Sequence, residues 1–195
     1  MDLKKTFKGK KVIVTGHTGF KGSWLTLWLT ILGAKVVGIS VNNPTVPSHY
    51  KILNLKNKIK SYNIDIRNIK KLKKIILSQK PQFFFHLAAQ SLVNKSFENP
   101  INTWQTNTLG TINILESLRK LKNNCVAVII TSDKVYKNFE IKRGYKENDR
   151  LGGIDPYSAS KASAELALQS YVKSFFSKNN KVRIGIARAG NVIGG

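Results

Sequence analysis

Six short apolar runs alternate along the chain with stretches whose apolar side chains recur at helical spacing. The run KVIVT at 11–15 stops at a glycine and reads as a buried strand. An apolar helical stretch follows at 24–32 and is stopped by Gly33. KVVGIS at 35–40 is a second strand, and 41–60, with Pro44, Pro47 and many lysines, is a loop with room for a short helix. A brief third strand falls at 62–64. Ile69, Leu72, Ile75, Ile76 and Gln79 line up on a helix that Pro81 breaks, and a fourth strand takes 83–87. The spacing of Ile101, Trp104, Leu109, Ile112, Leu115 and Leu118 predicts one long helix over 101–121. CVAVII at 125–130 is a fifth strand. Residues 135–155 read as loop, Pro156 opens a helix over 157–176, and a sixth strand takes 182–187.

Strands alternating with helices of this length imply βα units and a parallel α/β sheet, Rossmann-like and doubly wound. The continuous apolar character of the strands fits a sheet covered by helices on both faces. After the sixth strand the sequence runs out in 191–195, where a doubly wound enzyme usually carries more. The expectation is one domain over 1–195, truncated before a smaller C-terminal substrate domain.

Composition narrows the class. At 195 residues, 42% hydrophobic and 22% charged, the chain can bury a core and is neither disordered nor a coiled coil. A single Cys excludes an internal disulfide framework, and no His, Cys and carboxylate cluster has metal spacing, so no metal is expected. No apolar run reaches membrane-spanning length and the first residues lack a signal-peptide pattern, so the cytoplasm is expected. The charge of +23 invites a nucleic-acid reading. However, the lysines are scattered, only six of the thirty-three cations are Arg, and Lys, Asn and Ile are abundant together. That pattern favours compositional bias, helped by an anionic substrate, over a nucleic-acid surface.

Gly16, Gly19 and Gly22 form G-x-x-G-x-x-G directly after the first strand. There, the first glycine allows the turn, the second lets backbone approach a pyrophosphate, and the third lets helix pack on sheet. Thr18, Phe20 and Lys21 share the turn, and Lys21 is a candidate phosphate partner. His17 is expected on the loop, facing the cofactor, and His86 packed and hydrogen-bonded. No Asp or Glu occurs between Asp2 and Asp65 to bind an adenosine ribose at the end of strand two. Ser40, Asn42 and Asn43 are the substitutes on offer. With no Arg there either, residue chemistry leaves NAD and NADP open.

Tyr157 and Lys161, four apart at a helix start, share one face. An ammonium beside a phenol lowers its pKa, so a phenolate can take a hydroxyl proton while hydride leaves for a nicotinamide. Ser132 and Asp133 stand at the carboxyl end of strand five, where α/β sheets place ligands. Leu87, Ala88 and Ala89 give small steps past a dinucleotide. Asn107, in the long helix, is a candidate for fixing local backbone geometry. Trp104, Leu168 and Phe175 are candidates for the core and for a dimer interface built by the two long helices.

The chain resembles the extended short-chain dehydrogenase/reductases, and most closely their sugar-nucleotide 4,6-dehydratase branch acting on CDP-glucose. The resemblance rests on VTGHTGFKGSW at 14–24, DIR at 65–67, HLAAQ at 86–90, NTLGT at 107–111, TSDKVY at 131–136, DPYSASK at 155–161 and ARAGNVIGG at 187–195. It covers essentially everything after residue 9. It implies NAD as cofactor, held by Gly16, Thr18, Gly19, Phe20, Lys21, Gly22, Asp65, Ile66, Leu87, Ala88, Ala89, Asn107, Tyr157 and Lys161, with Asp65 reading the adenine. It implies Ser132, Asp133, Lys134, Tyr157 and Lys161 as catalytic residues, and Gln90, Ser132 and Asn191 at the substrate. It also implies a cytoplasmic homodimer using CDP-glucose, without membrane or nucleic-acid partners.

The implied cycle oxidises sugar C4 with Tyr157 as base, eliminates water across C5–C6 with Lys134 as base and Asp133 as acid, and returns hydride to C6. The dTDP-glucose dehydratases carry an Asp-Glu pair where this chain has Asp133-Lys134. An ordinary lysine is charged and an ordinary aspartate ionised at pH 7, so both roles require a site that shifts them. Sugar epimerases share the glycine turn and the Tyr-Lys pair without a use for Asp133 and Lys134. They remain the enzyme alternative, beside a non-catalytic dinucleotide-binding fragment.

Overall fold

A computed structural model describes residues 2–178 and 181–193. A short helix not foreseen from the sequence, α1 (Leu3–Phe7), is capped by the Asp2 side chain. Then follow β1 (Lys11–Thr15), α2 (Phe20–Ile31), β2 (Lys35–Ser40), α3 (His49–Ile52), a 3-10 turn (Leu55–Asn57), β3 (Lys60–Asn63), α4 (Ile69–Gln79) and β4 (Phe83–His86). Next come α5 (Val93–Glu98), α6 (Pro100–Trp104), a π turn (Gln105–Leu109), α7 (Gly110–Leu118) and β5 (Cys125–Ile130). The chain closes with a 3-10 turn (Asp133–Val135), α8 (Pro156–Tyr171), a second π turn (Val172–Phe176) and β6 (Val182–Ala187).

All six strands are parallel, in the order β3-β2-β1-β4-β5-β6. The winding reverses between β1 and β4. The connections leaving their carboxyl ends therefore run to opposite faces of the sheet and open the crevice where such sheets bind ligands. Successive β1 residues feed opposite faces. Ile13 joins Ile39, Phe84, Ala127 and Ile129 under Leu72, Ile114, Leu118 and Leu168 of α4, α7 and α8. Val12 and Val14 pack on the other face with Leu29 of α2 and Phe7 of α1. Each such fully buried Ile or Leu contributes about 1.5–3 kcal/mol. The second face is covered less far, since Val126 of β5 stays 42% exposed and its partner on β6 is the exposed Arg183.

Where the boundaries differ from the periodicity, local chemistry explains it. α2 begins at Phe20, four residues early, because Gly19 is its N-cap and the turn, not an apolar stripe, starts the helix. β3 sits two residues early because it is an edge strand with exposed Lys60, Ser61 and Asn63, paired in register from Val37↔Lys60. The long helix is interrupted at its π turn. There Thr111 turns its hydroxyl back to the Asn107 carbonyl at 2.6 Å, and Gly110 packs on Ile66. The helix α5 and the 3-10 turn at 133–135 carry no helical stripe and were not anticipated. No helix is long and apolar enough to cross a membrane among the described residues.

A Cβ on Gly22 would lie 2.0 Å from the Gly16 carbonyl oxygen, whereas one on Gly144 meets nothing. Gly22→Ala is expected to cost about 2–3 kcal/mol or more, by overpacking against backbone. Gly144→Ala should stay within about 0.5 kcal/mol. Urea unfolding of the two variants checks the contrast, and equal midpoints would contradict the packing described.

Candidate active site

The site grows from the end of β1. Gly16 takes φ +73, a conformation that favours glycine, and its N–H donates to the Ile39 carbonyl at 2.8 Å. A Cβ here would meet the Ala88 nitrogen at 2.7 Å, so turn and β4 loop touch backbone to backbone. Gly19 caps α2 without a side-chain bond. The first N–H groups of this twelve-residue helix have no intrahelical partner and face outward with the positive end of its dipole. This is a cradle for a diphosphate, and the residues present fit one. Lys21 adds a cation at its edge, and its charge is felt at Lys161.

At the end of β2, the Thr18 hydroxyl donates to the Asn42 carbonyl at 3.0 Å, so the Ser40 hydroxyl, 2.6 Å away, donates to Thr18. Ser40 therefore offers ribose an acceptor and no carboxylate. His17 does not face the crevice as expected. Its ring is buried against Gly38 of β2, with Nε2 2.8 Å from the Ser61 hydroxyl and an edge contact to Tyr50. Burial drives its pKa down to about 4.

A directed chain of hydrogen bonds runs behind the crevice. Thr15 Oγ1 accepts from the Leu87 and Ala88 N–H groups, which leaves its own proton for His86 Nδ1 at 2.7 Å. His86 Nε2 then carries the proton that bridges to Thr111 Oγ1 at 3.2 Å, and Thr111 donates to the Asn107 carbonyl. His86 is packed and bonded as expected. Burial, helped by the Lys161 charge, lowers its pKa to about 3, which keeps it neutral.

Asn107 works through the same frame. Its Oδ1 accepts from the Gln90 N–H at 2.8 Å, and its Nδ2 donates to the Gln90 carbonyl and to Ser160 Oγ. Ser160 in turn donates to the Tyr157 carbonyl at 2.7 Å. Asn107 thus ties the 88–90 loop to the first turn of α8, and its amide is spent on protein rather than on cofactor.

Ser132, Tyr157 and Lys161 are nearly buried at the carboxyl end of β5 and on α8, while Asp133 and Lys134 are exposed beside them. α8 starts cleanly because Asp155 caps it, accepting from the Ser158 N–H at 2.9 Å, and Pro156 takes its first position. Ser132 Oγ donates to Asp133 Oδ1 at 3.0 Å and accepts from the Lys134 N–H.

The phenol is not lowered by Lys161 as expected. Burial first, then the charges of Asp133 and Asp155, hold Tyr157 above its ordinary value, against the pull of the Ser132 hydroxyl. The lysine's own charge is weakened, because burial and then Lys21 bring Lys161 down to about 8 against the support of Glu165.

The other candidate residues are placed as follows. The Asp65 carboxylate is closed on Arg67, with Nη2 at 2.5 Å and the Arg67 N–H at 2.8 Å, so it enters the crevice already neutralised. Ile66 is buried against the Gly110 position, in the core. The Gln90 side chain donates to the Leu92 carbonyl and to Thr103 Oγ1 and accepts from the Leu92 N–H. Leu168 is fully buried and belongs to the core, whereas Trp104 and Phe175 are exposed. Asn191 lies exposed beyond β6. Among the described residues no group of His, Cys, Asp and Glu could hold a metal.

Sequence reasoning missed three groups: Thr15, Glu165 and Arg188. Glu165 is fully buried, four residues after Lys161. It accepts from Thr131 Oγ1 at 2.5 Å and pairs with Arg188 at 2.6 Å. The signal was present in the spacing Tyr157, Lys161, Glu165 along one helix face.

Comparison with known proteins fits this geometry. The pattern of GDP-mannose 4,6 dehydratase matches residues 13–185. The chain is 49% identical to CDP-glucose 4,6-dehydratase of Salmonella typhimurium over 98% of its own length and 55% of that protein's. It is 32% identical to dTDP-D-glucose 4,6-dehydratase of Dictyostelium discoideum, over 95% and 44%. The chain thus spans about half the length of these curated relatives. The crystal structure of Thermus thermophilus UDP-glucose 4-epimerase in complex with NAD superposes with a TM-score of 0.81 at 26% identity, covering 94% of this chain and 56% of that one.

Between pH 8 and 10.5 an unfolded Lys161 keeps a proton that the folded one has lost. The penalty of burying its charge therefore fades as pH rises through that window. NMR of the labelled lysine should show titration near pH 8, and Lys21→Met should move it upward by removing a like charge. An unchanged midpoint in Lys21→Met would contradict the coupling of the two cations.

Proposed function

The chain belongs to the GDP-mannose 4,6 dehydratase family, and on that premise we propose that it serves an NAD-dependent CDP-glucose 4,6-dehydratase. In this reading, residues 1–195 are the dinucleotide-binding domain and carry the catalytic residues. The observation that carries the reading is the placement of Ser132, Asp133 and Lys134 beside Tyr157 and Lys161, at the sheet end that also holds the glycine cradle. A Tyr-Lys pair serves any oxidation of a sugar hydroxyl. An adjacent acid and base serve an elimination, which an epimerase does not perform. The high identity to the Salmonella CDP-glucose dehydratase supports the same substrate.

NAD fits the cradle. The open start of α2 and Lys21 would hold its diphosphate, the Ser40 hydroxyl would accept from a ribose hydroxyl, and Lys161 would hold the nicotinamide ribose. When bound, the nicotinamide supplies reversible hydride acceptance, from sugar C4 at the outset and to C6 at the end. Tyr157 takes the C4 hydroxyl proton, and Ser132 holds the same oxygen in place. With C4 a ketone, the C5 proton is acidified and Lys134 removes it. Asp133 gives a proton to the C6 hydroxyl as the C6–O bond breaks and water leaves. Lys134 returns its proton to C5 as hydride reaches C6. The sum is CDP-glucose to the 4-keto-6-deoxy sugar nucleotide plus water, with no net redox change.

Exposed Ile101, Trp104 and Leu109 on α6 and its π turn, with Leu166 and Phe175 on the neighbouring α8 and its π turn, support a homodimer through these helices. A soluble sugar-nucleotide substrate supports a cytoplasmic setting.

Incubation with NAD and CDP-glucose should remove one water from the sugar nucleotide by mass spectrometry, and the same sample should sediment as a dimer. Tyr157→Phe is expected to lower turnover by about 100-fold or more through loss of the proton acceptor. Lys134→Ala should still reduce the cofactor but stall before water loss. An unchanged sugar nucleotide with the wild-type protein, or full turnover in Tyr157→Phe, would overturn the proposal.

A further inference from the structure

Arg188 lies just past β6 and joins three pieces of the molecule that carry the reacting groups. Its backbone neighbours hold the end of β5: the Thr131 N–H donates to the Ala187 carbonyl at 2.9 Å, and the Asp133 N–H to the Ala189 carbonyl at 3.1 Å. Its side chain crosses to α8, where Nε and Nη2 form a fork on the buried Glu165 carboxylate at 2.6–3.0 Å. Glu165 also receives the Thr131 hydroxyl, so the residue before Ser132 is pinned to the helix that bears Tyr157 and Lys161.

The remaining guanidinium edge faces the excursion between the two arms of the Tyr136↔Leu151 bridge. Nη1 donates to the Glu147 carbonyl at 3.0 Å, and the guanidinium lies 4.6 Å over the Tyr136 ring, which stacks on Tyr145. The excursion is otherwise braced from within, by Arg143 with Asp149 and by Tyr145 with Asn138. Among the described residues, the bond from Arg188 to Glu147 is the single hydrogen bond from 138–149 to the body of the domain.

The geometry assigns Arg188, clamped by Glu165, as a positioning residue that sets the Asp133–Lys134 turn against the Tyr157–Lys161 helix face and latches the 138–149 excursion beside it. The inference rests on the dehydratase reading for its effect on chemistry, but the latch itself does not. A fork that fixes two elements matters most to the step that uses groups from both. Oxidation at C4 draws mainly on Tyr157 and Lys161. Water loss needs Asp133 and Lys134 held in register with a sugar that Tyr157 already grips. A lysine at 188 would keep the charge and lose both the fork and the planar face over Tyr136.

The test compares wild type, Arg188→Lys and the double variant Arg188→Met, Glu165→Met. The double variant removes both partners of the fork together and is the one to use if the lysine variant does not fold. Amide exchange of 138–149 should rise about 10-fold in either variant, for loss of one charge-assisted bond, while NADH affinity of Arg188→Lys, which keeps Glu165 beside Lys161, stays within about threefold of wild type. In single turnover with NAD and CDP-glucose, reduced nicotinamide should accumulate in near-ultraviolet absorbance, because water loss slows more than oxidation. Unchanged exchange in 138–149, or oxidation and water loss falling by the same factor, would overturn the assignment. Wild-type protein that leaves CDP-glucose untouched would instead sink the dehydratase reading, and amide exchange alone would then judge the latch.

Discussion

The backbone of Gly16 lies against the backbone of Ala88 with no room for a side chain between them. Everything at the crevice is set by that approach. It joins the ends of β1 and β4 at the point where the winding of the sheet reverses. It brings the start of α2 over the turn, because Gly22 must pass the Gly16 carbonyl at a distance no Cβ tolerates. It also draws the Leu87 and Ala88 N–H groups onto Thr15, which orients the Thr15 hydroxyl toward His86. A phosphate cradle and a hydrogen-bond relay therefore share one steric origin.

From there, order is passed by polar contacts inside the protein. Thr15, His86 and Thr111 lead to the Asn107 carbonyl, and the Asn107 amide holds both the 88–90 loop and Ser160 beneath Tyr157. The π turn at Gln105–Leu109 carries Asn107 itself. The second frame is ionic. The desolvation of the buried Glu165 is offset by Arg188 and Thr131, which satisfy its carboxylate. Between these frames Lys161 is desolvated to about 8, which makes its charge responsive to Lys21 and to any anion that settles in the cradle.

Much of this was legible in the sequence. The six strands follow from apolar runs bounded by glycine and proline, and the βα alternation led directly to the sheet. Gly16, Gly19 and Gly22 were readable because their spacing encodes backbone geometry. Tyr157, Lys161 and Ser132 were readable because their residue types carry chemistry at a strand end and a helix start. What was not legible depends on pairing across long separations. Nothing local to Asp65 shows that Arg67 will close on it, and nothing local to Gln90 shows that Leu92 and Thr103 will consume its amide. The His17 ring turns inward because Gly38, twenty-one residues away, leaves the space. The start of β3 was placed two residues late because an edge strand needs no apolar alternation. The direction of the Tyr157 shift was not legible because spacing shows that Tyr157 and Lys161 share a face, but not that the phenol will be buried beside Asp133 and Asp155.

The central claim is that one crevice performs oxidation, elimination and reduction in turn on the same sugar. Its most direct test is the fate of the C4 hydrogen. CDP-glucose deuterated at C4 is incubated with the protein and unlabelled NAD, and the product is read by NMR. The account predicts deuterium at C6 of a 4-keto-6-deoxy sugar, carried there within one molecule. Deuterium retained at C4 of an inverted sugar, or absent from C6, would contradict it.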